Sequence, residues 1–288
     1  MSRDAYVNGR FVRHDMAAVH VEDRGYQFAD GVYEVIGVSG GRFIDETGHL
    51  ARLRYSLGEL KIPLPLSEAA LKLVMRALVR RNRLSEGMLY LQITRGVAPR
   101  DFKFPADVKP AIVMTTRRAR FSAEAAGVAV VTVPDIRWAR RDIKTVGLLA
   151  QVLAKQHAAE RGAFEAWMVD REGFVTEGAS SNAWIVTQDG VLVTRQPDRS
   201  ILHGVTGNSI ERLAGELGLK VERRPFTLSE AHQAREAFMS SATSFCLPIV
   251  EIDGRPVGNG GAGAVAAELR RLYWDYARDG RGRQFEWR

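Results

Sequence analysis

Between Ile136 and Lys155 the chain reads IRWARRDIKTVGLLAQVLAK, and Lys144 stands where charge gives way to apolar sequence. Arg137, Arg140, Arg141 and Asp142 lead up to it, and Leu148 to Ala154 reads as the apolar start of a helix. Partial desolvation at such a junction lowers the cost of the neutral amine. Only the neutral amine attacks a carbonyl, so Lys144 is a candidate Schiff-base former. A lone loop lysine is ordinarily solvated, so the assignment needs partners elsewhere in the chain.

Thr176 to Asn182 (TEGASSN) supplies one. Glu177 closes a strand pattern and is followed by small, hydroxyl-rich residues that leave room for a ligand at the backbone. A carboxylate set against a pyridine nitrogen keeps that nitrogen protonated and makes the ring an electron sink. Without Lys144 upstream, the same stretch would be a turn with a solvent-facing acid. Three further places could meet an anion. Gly204-Val205-Thr206 precedes a helix pattern, where free N–H groups and a hydroxyl collect. Ser240-Ser241-Ala242-Thr243-Ser244 follows a strand, and Arg52 sits on a helix. Singly these are a cap, a polar turn and a solvated arginine; one phosphate would explain all three.

The elements that must hold these groups are legible from periodicity. Ala5–Val7 and Phe11–Val12 form a hairpin about Asn8-Gly9. Tyr33–Val38 and Arg42–Ile44 are strands about Gly40-Gly41. His49–Leu60 is a helix stopped by Pro63, and Ser67 caps a second with Leu71, Val74, Met75, Leu78 and Val79 inward. Met88–Thr94 and Ala111–Thr116 are strands, joined by a long loop, Arg95 to Pro110, of the length that usually carries function. The strand pattern pauses at Arg117 to Arg120. That places a boundary between a small N-terminal α/β domain, residues 1–118, and a larger C-terminal α/β domain carrying Lys144, residues 119–288. In the second domain, Val128–Val133, Phe164–Val169, Phe174–Thr176, Ala183–Thr187, Val191–Thr194 and Ala237–Ser240 read as strands. Leu148–Glu160, Asn208–Leu217, Ser229–Arg235 and Ala264–Tyr276 read as helices.

The totals fit an ordinary globular protein of 288 residues. The net charge of +7, from 41 basic and 34 acidic residues, is scattered, with arginines beside acids. No basic run is interleaved with aromatics, which argues against nucleic acid and leaves anionic small molecules. The single cysteine, Cys246 in SFCLPIVEI, reads as a buried apolar residue in a reducing compartment. The polar N-terminus has no secretory core and no stretch has the length of a membrane span, so the expected location is cytoplasmic. No metal is expected.

Several of these motifs in this order carry a resemblance. DRGYQFADGVYEV (Asp23–Val35), the RWxRxDIK run ending at Lys144, LAKQHA (Leu153–Ala158), VTEGASSN (Val175–Asn182) and VEIDG (Val250–Gly254) together resemble the D-amino-acid transaminase branch of the fold type IV pyridoxal-phosphate enzymes. The likeness spans nearly the whole chain. It implies two α/β domains with pyridoxal 5'-phosphate between them, working as a homodimer. It implies that Lys144 holds the cofactor and shuttles the proton, and that Glu177 meets the pyridine nitrogen. Arg52, Val205 and Thr206, with main-chain groups near Ala242 and Thr243, would hold the phosphate, with Arg137 near the cofactor. Tyr33, Tyr90, Arg100 and Phe102 would form the substrate set, the Arg100 loop reaching into the neighbouring subunit's site.

The chain departs from that branch in places that bear on substrate. Phe102 stands where the branch has a second carboxylate-binding residue, a histidine, and Asp101 lies beside Arg100. One charge-assisted partner remains where two are expected. Gly147 stands where asparagine is frequent, and Ala242 replaces a hydroxyl residue. The expected activity is ping-pong transamination between D-amino acids and 2-oxo acids. Branched-chain or (R)-amine transamination, or 4-amino-4-deoxychorismate lyase chemistry, are alternatives on the same fold. A non-catalytic binding protein is the alternative from another class.

Overall fold

The computed structural model describes residues 3–279. Asn8 and Gly9, at φ 45° and 93°, turn β1 (Asp4–Val7) onto β2 (Arg10–Arg13), as an Asn-Gly pair favours because both positions need the left-handed region. The short α1 (Arg24–Phe28) is capped by Asp23, whose carboxylate accepts from the Gly25 N–H at 2.8 Å. There follow β3 (Gly31–Ser39), β4 (Arg42–Phe43), α2 (Glu46–Glu59), α3 (Glu68–Arg81), β5 (Glu86–Thr94) and β6 (Ala111–Arg118). Ser67 caps α3 as its position demands, its Oγ accepting from Ala70 N–H at 3.3 Å.

These elements make one unit, residues 3–121 together with 143–147. Its sheet runs β2-β1-β6-β5-β3-β4. Period-two alternation sends Ile36, Leu89 and Leu91 into a core with Leu53, Met75 and Leu78. Each such side chain contributes about 1.5–3 kcal/mol of burial. The other face is only half covered at Tyr33, Val35, Tyr90 and Gln92, and this face carries chemistry.

The second unit comprises residues 122–142 and 148–279. It contains β7 (Val128–Pro134), α4 (Leu149–Glu160), β8 (Glu165–Val169), β9 (Val175–Gly178), β10 (Asn182–Val186), β11 (Leu192–Thr194), α5 (Val205–Glu216), β12 (Val221–Arg223), α6 (Leu228–Gln233), β13 (Glu236–Ser241), β14 (Phe245–Ile252), β15 (Arg255–Pro256) and α7 (Ala264–Asp279). The sheet order is β12-β11-β10-β13-β14-β7-β8-β9, with β15 on β14. Strands β7 and β8 are parallel and joined through α4, so the loop after the carboxyl end of β7 is the place such a crossover offers for ligand groups.

Where the structure differs from the sequence expectations, the causes are physical. Lys144 belongs by its contacts with the first unit, because Ile143–Gly147 pairs along β3. Tyr33 N–H donates to the Lys144 carbonyl at 3.0 Å and Val146 N–H to the Gly31 carbonyl at 3.1 Å. The packing changes at 121/122 rather than 118/119; residues 1–2 and 280–288 of the expected domains lie outside the described residues. Helix α4 turns Ala154 and Ala158 inward, whereas Leu149, Val152 and Leu153 are exposed. Helix α5 starts at Val205 rather than Asn208, because Gly204 takes the cap position and its carbonyl accepts from Asn208 N–H at 3.2 Å. Strand β14 contains Pro248, whose missing N–H hides a strand from pattern reading. Among the described residues no helix is long and apolar enough to cross a membrane. Cys246 is a buried free thiol.

Candidate active site

In the first unit, β3 presents two consecutive side chains to opposite faces. Tyr33 faces the half-covered side and Glu34 faces α2. The Lys144 amine lies 4.3 Å from the Tyr33 ring centre and donates to its hydroxyl at 3.3 Å. Tyr90 stacks on Tyr33 with centroids 5.7 Å apart, and its own hydroxyl donates to Gln92 Oε1 at 2.7 Å. Burial, with a smaller push from Tyr33, raises the Tyr90 phenol to about 12. The Lys144 backbone is fixed on both sides: its carbonyl by Tyr33 and its N–H by Ser56 Oγ at 3.1 Å.

Ser56 is one turn beyond Arg52 on α2, so the same helix face serves both. Arg52 is buried and makes a two-pronged pair with Glu34, Nε to Oε1 at 2.8 Å and Nη2 to Oε2 at 2.7 Å. His49 Nδ1 lies 2.7 Å from the same carboxylate. Burial alone would raise the Glu34 carboxyl, but the Arg52 charge and the hydrogen bonds from Arg52 and His49 outweigh it and bring it to about 2. A fixed anion thus orients the guanidinium nominated for an anion.

The loop after β5, from Arg95 to Pro110, is tied down at its base. Buried Arg24 and Arg95 both grip Asp30, at 2.8 and 2.7 Å, and Arg24 also donates to the Asp101 carbonyl at 2.6 Å. Burial raises the Asp30 carboxyl, and the two arginines more than reverse that. Beyond the clamp, Arg100 and Phe102 are exposed, Phe102 at 79%. The Arg100 guanidinium sits 5.0 Å from the Phe28 ring centre and 5.7 Å from that of Phe102. The first unit therefore brings Lys144 onto Tyr33 and Tyr33 onto Tyr90, and sets the exposed Arg100 and Phe102 against Phe28.

In the second unit, Glu177 is buried at the end of β9. Its Oε1 accepts from Arg137 Nη1 and from Leu202 N–H, the latter at 3.0 Å, and its Oε2 from Asn182 Nδ2 at 2.9 Å. Burial pushes the Glu177 carboxyl above the ordinary carboxylate range, and Arg137 pulls it only partly back. Arg137 is in turn gripped by Asp135, the first residue after β7, through Nε to Oδ1 at 3.0 Å and Nη2 to Oδ2 at 2.8 Å. Its Nη2 also reaches Thr176 Oγ1 at 3.4 Å and the Ser200 carbonyl at 3.5 Å, so its donors meet protein groups. The turn behind Glu177 rests on Glu165, whose Oε2 accepts from Ser180 Oγ at 2.6 Å.

The anion candidates of this unit also converge. The α5 cap, Gly204, carries no side-chain cap bond, so the first-turn N–H groups of Val205 and Thr206 are offered by backbone alone. A Cβ at Gly204 would lie 2.0 Å from Asn182 Oδ1, so only glycine lets the helix start approach the residue that orients Glu177. A Cβ at Gly207 would lie 3.7 Å from Ser240 Oγ, which places Ser240, near the end of β13, beside the same helix end. In the β13–β14 turn, with Ala242 and Thr243, Ser241 Oγ accepts from Ser244 N–H at 3.0 Å. Sequence reasoning missed Glu34, His49, Ser56 and Asp135. The only trace they leave is spacing: Ser56 four residues after Arg52, and Asp135 two before Arg137.

Comparison with known proteins adds the following. Residues 31–252 match the family model described as amino-transferase class IV. A D-alanine aminotransferase of Bacillus licheniformis is 40% identical over 265 residues, 91% of this chain and 93% of that protein. One from Staphylococcus aureus (strain MSSA476) is 38% identical over 274 residues, 94% and 96% of the two chains. Among solved structures, a branched-chain amino acid aminotransferase of Escherichia coli superposes with a TM-score of 0.89 at 25% identity, over 96% of this chain and 95% of that one. The T.th. branched-chain amino acid aminotransferase with pyridoxamine 5'-phosphate gives 0.88 at 25% identity, over 98% and 96%.

Proposed function

This chain belongs to the class IV aminotransferases, and from that premise we propose that it exchanges amino groups between D-amino acids and 2-oxo acids, in two half-reactions, with pyridoxal 5'-phosphate as cofactor. The observation that carries the reading is the Lys144 amine, held 3.3 Å from the Tyr33 hydroxyl on a backbone pinned at both its N–H and its carbonyl. The D-alanine aminotransferases at 38–40% identity favour D-amino acids.

The donor set fits the cofactor. A primary amine, a buried basic carboxylate and a helix start with backbone donors are what its aldehyde, ring nitrogen and phosphate require. When bound, pyridoxal 5'-phosphate supplies an aldehyde for a primary amine and a ring that withdraws electrons from the bond to be broken. Lys144 contributes the amine and, when released, carries the proton to and from the substrate α-carbon. Tyr33 orients the Lys144 nitrogen through its hydroxyl. Glu177, made a stronger base by burial, keeps a proton on the ring nitrogen. Val205 and Thr206 N–H groups with the Ala242–Thr243 turn hold the phosphate, and Arg52, oriented by Glu34, adds its charge. Arg137 acts on the cofactor through Glu177.

Tyr33 and Tyr90 would line the substrate side, and Arg100 with Phe102 would serve the site of a second copy. The exposed Arg100 and Phe102 and the exposed Leu149, Val152 and Leu153 on α4 support a homodimer. The buried thiol of Cys246 suits the cytoplasm. Reconstituted protein treated with matched D- and L-amino acids tests the reading through the cofactor's aldehyde absorbance. Loss of that absorbance with D-alanine or D-glutamate is expected. Loss only with L-leucine, or only with (R)-1-phenylethylamine, would replace the substrate class, and a colourless preparation that cannot be reconstituted would end the proposal.

A further inference from the structure

Asp135 has no part in the reading above, yet its carboxylate accepts four hydrogen bonds. It follows β7 directly, and its side chain is fully buried. Oδ1 accepts from Arg137 N–H at 3.1 Å and from Arg137 Nε at 3.0 Å. Oδ2 accepts from Arg137 Nη2 at 2.8 Å and from Thr176 Oγ1 at 2.8 Å, and Arg141 Nε lies 3.4 Å away. The Nε–Nη2 edge of the Arg137 guanidinium is therefore bound to Asp135, and the remaining direction, Nη1, meets Glu177.

A planar guanidinium gripped along its Nε–Nη2 edge has the direction of its Nη1 fixed as well. From this chain of carboxylate, guanidinium and carboxylate we infer that Asp135 is a positioning residue, which aims Arg137 at Glu177 and offsets its positive charge there. The inference rests on Glu177 serving the ring nitrogen.

The charge arrangement explains why the offset matters. A buried arginine alone beside Glu177 would stabilise the carboxylate so strongly that it became a poor base for the ring proton. With Asp135 on its far side, Arg137 still orients Glu177 but takes less of its negative charge. The charged groups facing this chain are Arg137 and Arg141. Asn182 and the Leu202 N–H complete the Glu177 shell with neutral donors. Thr176 ties the chain to the strand that carries Glu177, since its hydroxyl meets Asp135 while the next residue is the acid itself.

The test uses holoenzyme loaded with pyridoxal 5'-phosphate labelled with ¹⁵N at the ring nitrogen, whose resonance reports ring protonation without turnover. Asp135→Asn keeps the shape and removes the offset. The pH at which the ring nitrogen loses its proton should fall by about one unit, with kcat lowered about tenfold and KM for the amino donor nearly unchanged. The double variant D135N/R137Q removes both charges together and should bring the titration of the ring nitrogen back at least to the wild-type position, because Arg137 lowers the Glu177 carboxyl more than Asp135 raises it. Should D135N alone not fold, the double variant still decides: a ring at least as protonated as in wild type supports the inference, and a resonance displaced toward the unprotonated ring overturns it. An unchanged resonance in folded D135N, or a kcat fall with no spectroscopic change, also overturns it. Glu177→Gln separates the two levels. If E177Q leaves the ring resonance where it is, the reading of Glu177 fails; if E177Q moves it and D135N does not, only the role of Asp135 fails.

Discussion

Replacing Glu34 by Gln tests how the Arg52 guanidinium is held, and its cost can be worked from the structure. The carboxylate is 1% exposed and pairs with Arg52 and His49. Its carboxyl sits at about 2 against an ordinary 4.5, because the Arg52 charge and the two partners' hydrogen bonds outweigh burial. At about 1.36 kcal/mol per pH unit that gap is worth about 3 kcal/mol at neutral pH. It falls within the roughly 3–5 kcal/mol expected when one partner of a buried ion pair is removed and the other charge stays behind. The lowered carboxyl contributes its stability fully above its unfolded value. That contribution fades as the pH falls toward 2, so that roughly 1.4 kcal/mol remains at about pH 3. Urea unfolding of wild type and E34Q, read through hydrogen exchange of the β3 and α2 amides, should therefore show a difference of about 3 kcal/mol at pH 7 that shrinks by about 2 at pH 3. Taking the difference between the two proteins cancels the other titrating acids. A gap that is the same at both pH values, or below about 1 kcal/mol at pH 7, would refute the reasoning.

Other outcomes follow from single contacts. Lys144→Ala should abolish turnover and leave cofactor that borohydride cannot fix to the chain; retained fixation would show that another amine serves. Ser56→Ala removes the 3.1 Å bond to the Lys144 backbone and should lower stability by about 1 kcal/mol while reducing kcat several-fold, checked by thermal unfolding beside steady-state rates. Ser67→Ala, which deletes only the α3 cap, should also lose about 1 kcal/mol but leave kcat intact. Burial pushes the Cys246 thiol far up, so native protein should resist a thiol reagent at about pH 8 and react once unfolded.

What the sequence discloses depends on how local the cause is. Asn8-Gly9 and Ser67 act on their immediate neighbours, so the hairpin and the α3 start are visible in the letters. Lys144 and Glu177 stand out because a charge-to-apolar junction and a run of small residues are also local. The Glu34–His49–Arg52 cluster joins residues 15 and 18 positions apart, and nothing in either stretch alone names the other. Asp135 is hidden for a different reason: an acid two residues before an arginine is common, and only the folded guanidinium shows which way it is turned. Chain order assigns Lys144 to one domain, whereas strand pairing enforces the other.

The lysine segment also guards an edge. Strand β3 is paired over its length with β5, while on its outer side β4 protects only Val38 and Ser39. Further along that side, Val32 bridges Thr145, and residues 143–147 shield the main-chain groups from Gly31 to Tyr33. Unpaired main chain of this kind recruits other chains. A fragment ending at residue 121 would therefore lose Lys144 and bare a sticky seam together. The peptide that delivers the amine also keeps the first sheet from polymerising.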